Sequence, residues 1–106
     1  MDKRNELLTK ILAQVTGGSS FNITEVTSSY TALPTDDGVS GNGTFNITLF
    51  PSADATNYIT IKSVDSGGTI TILPDGSETI EGLSSATCTS GQSKTLMPVA
   101  AGWLFT

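Results

Sequence analysis

The chain has 106 residues, a formal net charge of −5 and 37% hydrophobic residues, which suits one domain with a modest core that buries roughly two thirds of its unfolded surface. It contains no histidine and one cysteine, so intrachain disulfides, four-cysteine and histidine zinc sites and ordinary nucleophilic triads are excluded. Most of the acids but only two of the five basic residues follow Gly17, and an acidic body of this kind repels phosphate backbones and anionic membranes.

Residues 1–16 carry the chain's helical pattern. Leu8, Ile11, Leu12 and Val15 follow the i, i+3, i+4, i+7 spacing of an amphipathic helix, with Leu7 beside them. Asp2 or Asn5 supplies an N-cap, and Gly17-Gly18 a stop. A helix of this length is unstable alone in water. Its stripe must therefore be buried against its own body, against equivalent helices in an oligomer, or against a partner surface. Residues 17–20, Gly-Gly-Ser-Ser, form a flexible joint that permits all three. Lys3, Arg4 and Lys10 suit an acidic groove on another protein, or simply keep the terminus solvated.

From Phe21 the texture is that of strands, and residues 21–106 are expected to form a β-sandwich body. Phe21, Ile23 and Val26 mark a first strand, and Tyr30, Ala32 and Leu33 a second, ended by Pro34. Thr35 to Gly43, rich in Asp and Gly, reads as a loop. Phe45 to Leu49 alternates cleanly and stops at Pro51-Ser52-Ala53-Asp54. Ile59, Ile61, Ile70 and Ile72 alternate with threonine or lysine around Asp65-Ser66-Gly67-Gly68, which predicts a hairpin of two antiparallel neighbours. Pro74-Asp75-Gly76-Ser77 is a tight turn. Ile80 and Leu83, Ala86 to Thr89, Thr95 to Val99 and Gly102 to Phe105 complete the strands. The sum is all-β: a compact antiparallel β-sandwich or jelly-roll-like barrel of about seven or eight short strands behind a short N-terminal helix. The Thr-Ile-Thr and Asn-Ile-Thr echoes reflect strand alternation, and no repeat suggests a solenoid.

Chemistry would have to run on carboxylates. Asp36-Asp37 and Glu78 with Glu81 are the available pairs, and a body this small offers little room for the cleft that a glycosidase needs between its two acids. Glu78 and Glu81 are expected to face solvent on either side of an inward Ile80. Asp36-Asp37-Gly38 and Asp75-Gly76-Ser77-Glu78 are oxygen-rich, but they depart from the calcium-loop pattern and read first as turns. No enzyme activity, cofactor or metal is expected. Cys88 reads as a small core residue, and the sequons at Asn22, Asn42 and Asn46 as structural. Tyr30, Tyr58, Trp103 and Phe105 are the candidate recognition or interface aromatics, with core or subunit interface favoured for Trp103. No secretory leader or membrane-spanning run is evident.

The stretch Ile59-Thr60-Ile61-Lys62 to Asp65, the small loop, Thr69-Ile70-Thr71-Ile72, Pro74, Gly76-Ser77-Glu78-Thr79-Ile80 and Gly82 is followed by Ser90-Gly91-Gln92-Ser93-Lys94-Thr95-Leu96 and a closing Gly102-Trp103-Leu104-Phe105. This order, over about the last half of the chain, resembles a β-module of bacteriophage virion structural proteins: capsid decoration or cement proteins, head fibres, tail fibres and spikes. The resemblance implies a non-enzymatic virion protein, made in the host cytoplasm and assembled as a homo-oligomer, most simply a trimer. A cement protein on the outer face of the head, with the major capsid protein as partner, is the preferred role. In that role Leu8, Ile11, Leu12 and Val15 close the oligomer or seat in a capsid groove, and Lys3, Arg4 and Lys10 pair with capsid acids. A receptor- or carbohydrate-binding spike or fibre module and a tail or neck adaptor are the alternatives.

Overall fold

The structure, a computed structural model, describes residues 21–64 and 67–106. The expected helix at residues 1–16, the joint at 17–20 and the loop residues Asp65 and Ser66 lie outside them. The described residues form ten strands: β1 (Ile23–Val26), β2 (Tyr30–Thr31), β3 (Gly38–Gly41), β4 (Phe45–Thr48), β5 (Ile59–Ser63), β6 (Ile70–Leu73), β7 (Thr79–Ile80), β8 (Ala86–Cys88), β9 (Ser93–Val99) and β10 (Gly102–Phe105), with a 3₁₀ turn at Ser52–Asp54. They build a six-stranded sheet in the order β1-β3-β5-β9-β10-β7 and a four-stranded sheet in the order β2-β4-β6-β8.

Both sheets are mixed, which corrects the expected antiparallel architecture. From β1 to β6 the chain alternates between the sheets, and each strand pairs in parallel with the one two places later: β1 with β3, β3 with β5, β2 with β4 and β4 with β6. This is the winding of a short β-helix, a course that sequence alternation cannot distinguish from a sandwich of hairpins. The final part reverts to antiparallel pairing, β5 with β9, β9 with β10 and β6 with β8, while β7 lies parallel to β10.

The predicted hairpin is the clearest correction. β5 and β6 do not pair; they lie in different sheets and face each other across the core. Ile59 and Ile61 point inward from one sheet, Ile70 and Ile72 from the other, and all four are at most 1% exposed. Period-two alternation demands only that one face be buried. Two strands across a core meet that demand as well as two strands side by side, and the connection after Ser63 is long enough to cross the roughly 10 Å between packed sheets. The turn is held by Ser63 Oγ, which donates to the Gly68 carbonyl at 2.6 Å, and by the Val64 N–H, which donates to the Gly41 carbonyl at 3.1 Å.

The echoes themselves are not in register, but the strands of successive turns stack. Phe45 and Ile47 of β4 sit in register with Ile70 and Ile72 of β6. The repeat escapes a periodicity search because its turns differ in length: Ile23 pairs with Gly38, 15 residues on, whereas Gly38 pairs with Thr60, 22 residues on. β3 itself falls inside the segment read as a loop. Its Gly41 belongs there because Ile70 and Phe45 already fill the space of a side chain: a Cβ would lie 2.7 Å from Ile70 Cδ1 and 3.1 Å from Phe45 Cζ.

A single core unites the sheets. Val39, Ile47, Leu49, Ile80, Leu96, Cys88 and Trp103 join the four isoleucines, each at most 1% exposed. The Phe50 ring meets Trp103 edge to face, with centroids 5.3 Å apart, a favoured aromatic geometry. Pro98 is tolerated inside β9 because the pairing with β5 has already ended at Leu96.

Candidate interaction surface

Strand parity decides which side chains leave the core. In β1, β3 and β5 the inward positions include Val26, Val39, Gly41, Ile59, Ile61 and Ser63, so Ile23, Glu25, Gly38, Ser40, Thr60 and Lys62 line the outer face of the six-stranded sheet. Phe21 joins that face as the chain enters β1. Together these residues form an open, mainly apolar groove of about 350 Å³. Its floor is low because Gly38 has no side chain; a Cβ there would already touch Ile23 Cγ1 at 3.6 Å and Phe21 Cε2 at 3.8 Å. Phe21 and Ile23 are 62% and 55% exposed, although each carries enough apolar surface for burial to gain about 1.5–3 kcal/mol. Tyr58, two residues before Thr60, shares the parity of this face and is also exposed. Lys62 leans away to donate from Nζ to the Gly91 carbonyl at 3.0 Å.

The carboxylates have structural partners. Asp36 is 4% exposed and accepts three hydrogen bonds, from Thr24 Oγ1 at 2.6 Å, Tyr30 OH at 2.8 Å and the Leu33 N–H at 2.9 Å. This clamp joins β1 and β2, one from each sheet, to the turn before β3. Burial pushes the Tyr30 phenol above its ordinary range, and the hydrogen bond to Asp36 and the charge of that group add to the effect. Neighbouring Asp37 accepts the Asn22 N–H at 2.7 Å. The pair Asp36-Asp37 therefore fastens the start of the winding to itself.

Glu78 does not simply face solvent. Its carboxylate accepts the Ser52 N–H at 3.0 Å and lies 2.9 Å from Ser52 Oγ, which also reaches the Val99 carbonyl at 2.8 Å. Ser52 is buried, so this contact pins the 3₁₀ turn between β7 and the end of β9. Glu81 is exposed, yet its Oε2 accepts the Phe105 N–H at 2.8 Å. Glu78 and Glu81 thus hold separate segments and do not converge on a common cleft. Among the described residues no group of three or more acids and cysteines is placed to hold a metal ion.

The four candidate aromatics do not gather into one patch. Trp103 is in the core at 1% exposure, and its Nε1–H has no acceptor among the described residues. Tyr30 belongs to the Asp36 clamp. Phe105 is half-buried beneath Lys94, whose Nζ lies 5.1 Å from the ring centroid, a cation–π distance. Tyr58 alone of the four is exposed. Cys88 is fully buried, with Sγ 3.6 Å from the Ile61 carbonyl. Leu8, Ile11, Leu12, Val15, Lys3, Arg4 and Lys10 lie outside the described residues.

The groove is the feature that sequence reasoning missed. Phe21 and Ile23 marked a first strand without saying which face they take, and what fixes that face is Thr24, the partner of a buried carboxylate. Among the described residues no helix is long and apolar enough to cross a membrane. Neither the known protein families, nor curated proteins, nor solved structures contain a match to the chain.

Proposed function

We propose that the protein is a structural component of a bacterial virus particle, a decoration protein that binds the outer face of the head as a homotrimer and stiffens it. The reading rests on the resemblance, and one structural observation supports it. The two separated parts of that pattern, Glu78-Thr79-Ile80 and Gly102-Trp103-Leu104-Phe105, are neighbours: Gly102 and Trp103 pair in parallel with Thr79 and Ile80. Glu81, just beyond the first part, holds the backbone of Phe105. Two stretches of the pattern that are more than twenty residues apart in sequence thus pack against each other, which supports reading it as one module.

A two-sheet body with a continuous core suits adhesion by shape, in which many small contacts replace chemistry. The acidic body and the basic residues Lys3, Arg4 and Lys10 give the chain a charge asymmetry that would orient it on a lattice. Exposed Tyr58 beside the groove favours a second reading, a receptor- or carbohydrate-binding module at a fibre or spike tip.

Light scattering of the purified full chain tests the assembly part of the proposal: a molar mass three times the 11.0 kDa of the chain is expected, and a monomer at every concentration contradicts it. Binding of a soluble glycan in an array, with loss on Tyr58→Ala, would favour the second reading.

A further inference from the structure

Three steps in the sequence join an acid or its amide to glycine: Asp37-Gly38, Asn42-Gly43 and Asp75-Gly76. Glycine leaves the backbone free to turn its own amide nitrogen onto the preceding side-chain carbonyl, and the structure separates the three. Gly38 is buried and its N–H donates to the Asn22 carbonyl at 3.1 Å, so the first step is closed. Asp75-Gly76 is open, but a carboxylate resists attack by an amide nitrogen far more than a carboxamide does. Asn42 is exposed, and neither its carboxamide nor the Gly43 N–H has a hydrogen-bond partner among the described residues. The other described asparagines, Asn22, Asn46 and Asn57, precede Ile23, Ile47 and Tyr58, whose side chains hinder the approach. We propose that Asn42 is a site of spontaneous covalent modification, passing through a cyclic imide to aspartate and isoaspartate, and that the isoaspartate form unfastens the corner between β3 and β4. The inference does not depend on the virion role.

The step needs only water and hydroxide. The Gly43 nitrogen gives up its proton to hydroxide and bonds to Asn42 Cγ; the Cγ–Nδ2 bond breaks, and Nδ2 takes up a proton from water and leaves as ammonia. Water then adds to one of the two ring carbonyls. Breaking the new Cγ–N bond gives aspartate. Breaking the bond between the Asn42 main-chain carbon and the nitrogen gives isoaspartate, in which the chain runs through Cγ. No oxidant or reductant takes part.

The corner is fastened on both sides of this bond. The Asn42 N–H donates to the Val26 carbonyl at the end of β1 at 3.0 Å, and the Gly43 carbonyl accepts the Gly68 N–H ahead of β6 at 3.3 Å. Isoaspartate inserts a methylene between these two anchors. The packing leaves it no slack: a Cβ on Gly43 would lie 3.0 Å from Phe45 Cε2, and one on Gly68 3.1 Å from the Gly43 carbonyl. Both products also add a negative charge, and Asn42 lines an open depression together with Glu25 and Val26 of β1. A second carboxylate there repels Glu25 and weakens the seat of β1.

The test is incubation of the purified full chain at mildly alkaline pH in heavy-oxygen water, followed by peptide mapping by mass spectrometry. Asn42 is expected to take up heavy oxygen ahead of Asn22, Asn46 and Asn57, with isoaspartate among the products. Its rate in the folded chain should lie within about tenfold of its rate in denaturant, whereas a reaction that waits on global unfolding is suppressed by about 10³-fold or more. Slowing beyond tenfold in the fold, or faster reaction at another asparagine, overturns the site. Asn42→Asp supplies the charge without the methylene. The isoaspartate form, separated by ion exchange, is expected to unfold at a lower denaturant midpoint than Asn42→Asp; a midpoint no lower than that of the variant overturns the unfastening.

Discussion

Gly102 stands against the backbone of Thr79 so closely that a Cβ on it would collide with the Thr79 carbonyl oxygen, and its φ of +148° is one that side-chain-bearing residues rarely adopt. The parallel pair of β7 and β10 exists at this position only with glycine. Gly102→Ala is therefore expected to cost about 3 kcal/mol or more, combining the strained φ with a displaced strand, and to lower the melting temperature by about 15 °C. Gly76 is the control: its φ is +52° but nothing lies within 4 Å of a Cβ there, so Gly76→Ala should cost only about 1 kcal/mol. Calorimetry of both variants separates steric collision from backbone strain, and equal losses would contradict the close approach.

Removing the acceptor at the centre of the first clamp should be costly. Asp36→Ala leaves the Thr24 and Tyr30 hydroxyls and the Leu33 N–H without their shared partner, a loss of about 3 kcal/mol in denaturant midpoint analysis. Tyr30→Phe removes one bond and should cost about 1 kcal/mol.

The same tyrosine sets an alkaline limit. Its folded pKa is raised above the ordinary 10.0, so the folded state holds the phenolic proton more tightly than the unfolded state does. The stabilisation is complete below the unfolded value and is lost as pH rises from there through the folded value. Stability should therefore fall above pH 10, and fall less steeply in Tyr30→Phe. Parallel curves for the two proteins would remove Tyr30 from the effect.

Gly41 offers a test of complementarity across the core. Gly41→Ala places a methyl 2.7 Å from Ile70 Cδ1, an overpacking expected to cost about 1–3 kcal/mol. Ile70→Val deletes that Cδ1 atom. The double variant should therefore be less destabilised than the sum of the two single changes, a coupling that urea titration of the four proteins reads directly.

Cys88 should be inert in the folded protein. Burial pushes its thiol above the ordinary 9.0, against a weaker downward pull from Lys94 and Lys62, and no part of it is exposed. A thiol reagent at neutral pH is expected to react at the rate of unfolding and completely in denaturant. Rapid labelling of the native chain would contradict the burial.

Strand content was legible in the sequence because alternation reports burial: Phe45 to Thr48, Ile59 to Ile61, Ile70 to Ile72 and Gly102 to Phe105 all appear as strands, with Ile47, Ile59, Ile61, Ile70, Ile72 and Trp103 in the core and Phe45 and Phe105 against it. Pairing was not legible. The same alternation serves a strand beside its neighbour and a strand across the core, so β5 and β6 were joined when they belong apart. β3 was hidden for the opposite reason, since Gly38 and Gly41 are selected by close approach rather than by strand propensity. The groove was invisible because the parity of β1 is fixed by the bond from Thr24 to Asp36, a contact 12 residues distant, and not by the hydrophobicity of Ile23.

The central claim, that this chain is a virion component, is tested most directly by mass spectrometry and immunogold labelling of particles purified from cells that carry its gene. The account predicts the intact chain in washed particles, with gold on the outer surface of the head. Its absence from particles, when it is plainly present in the lysate, would contradict the assignment.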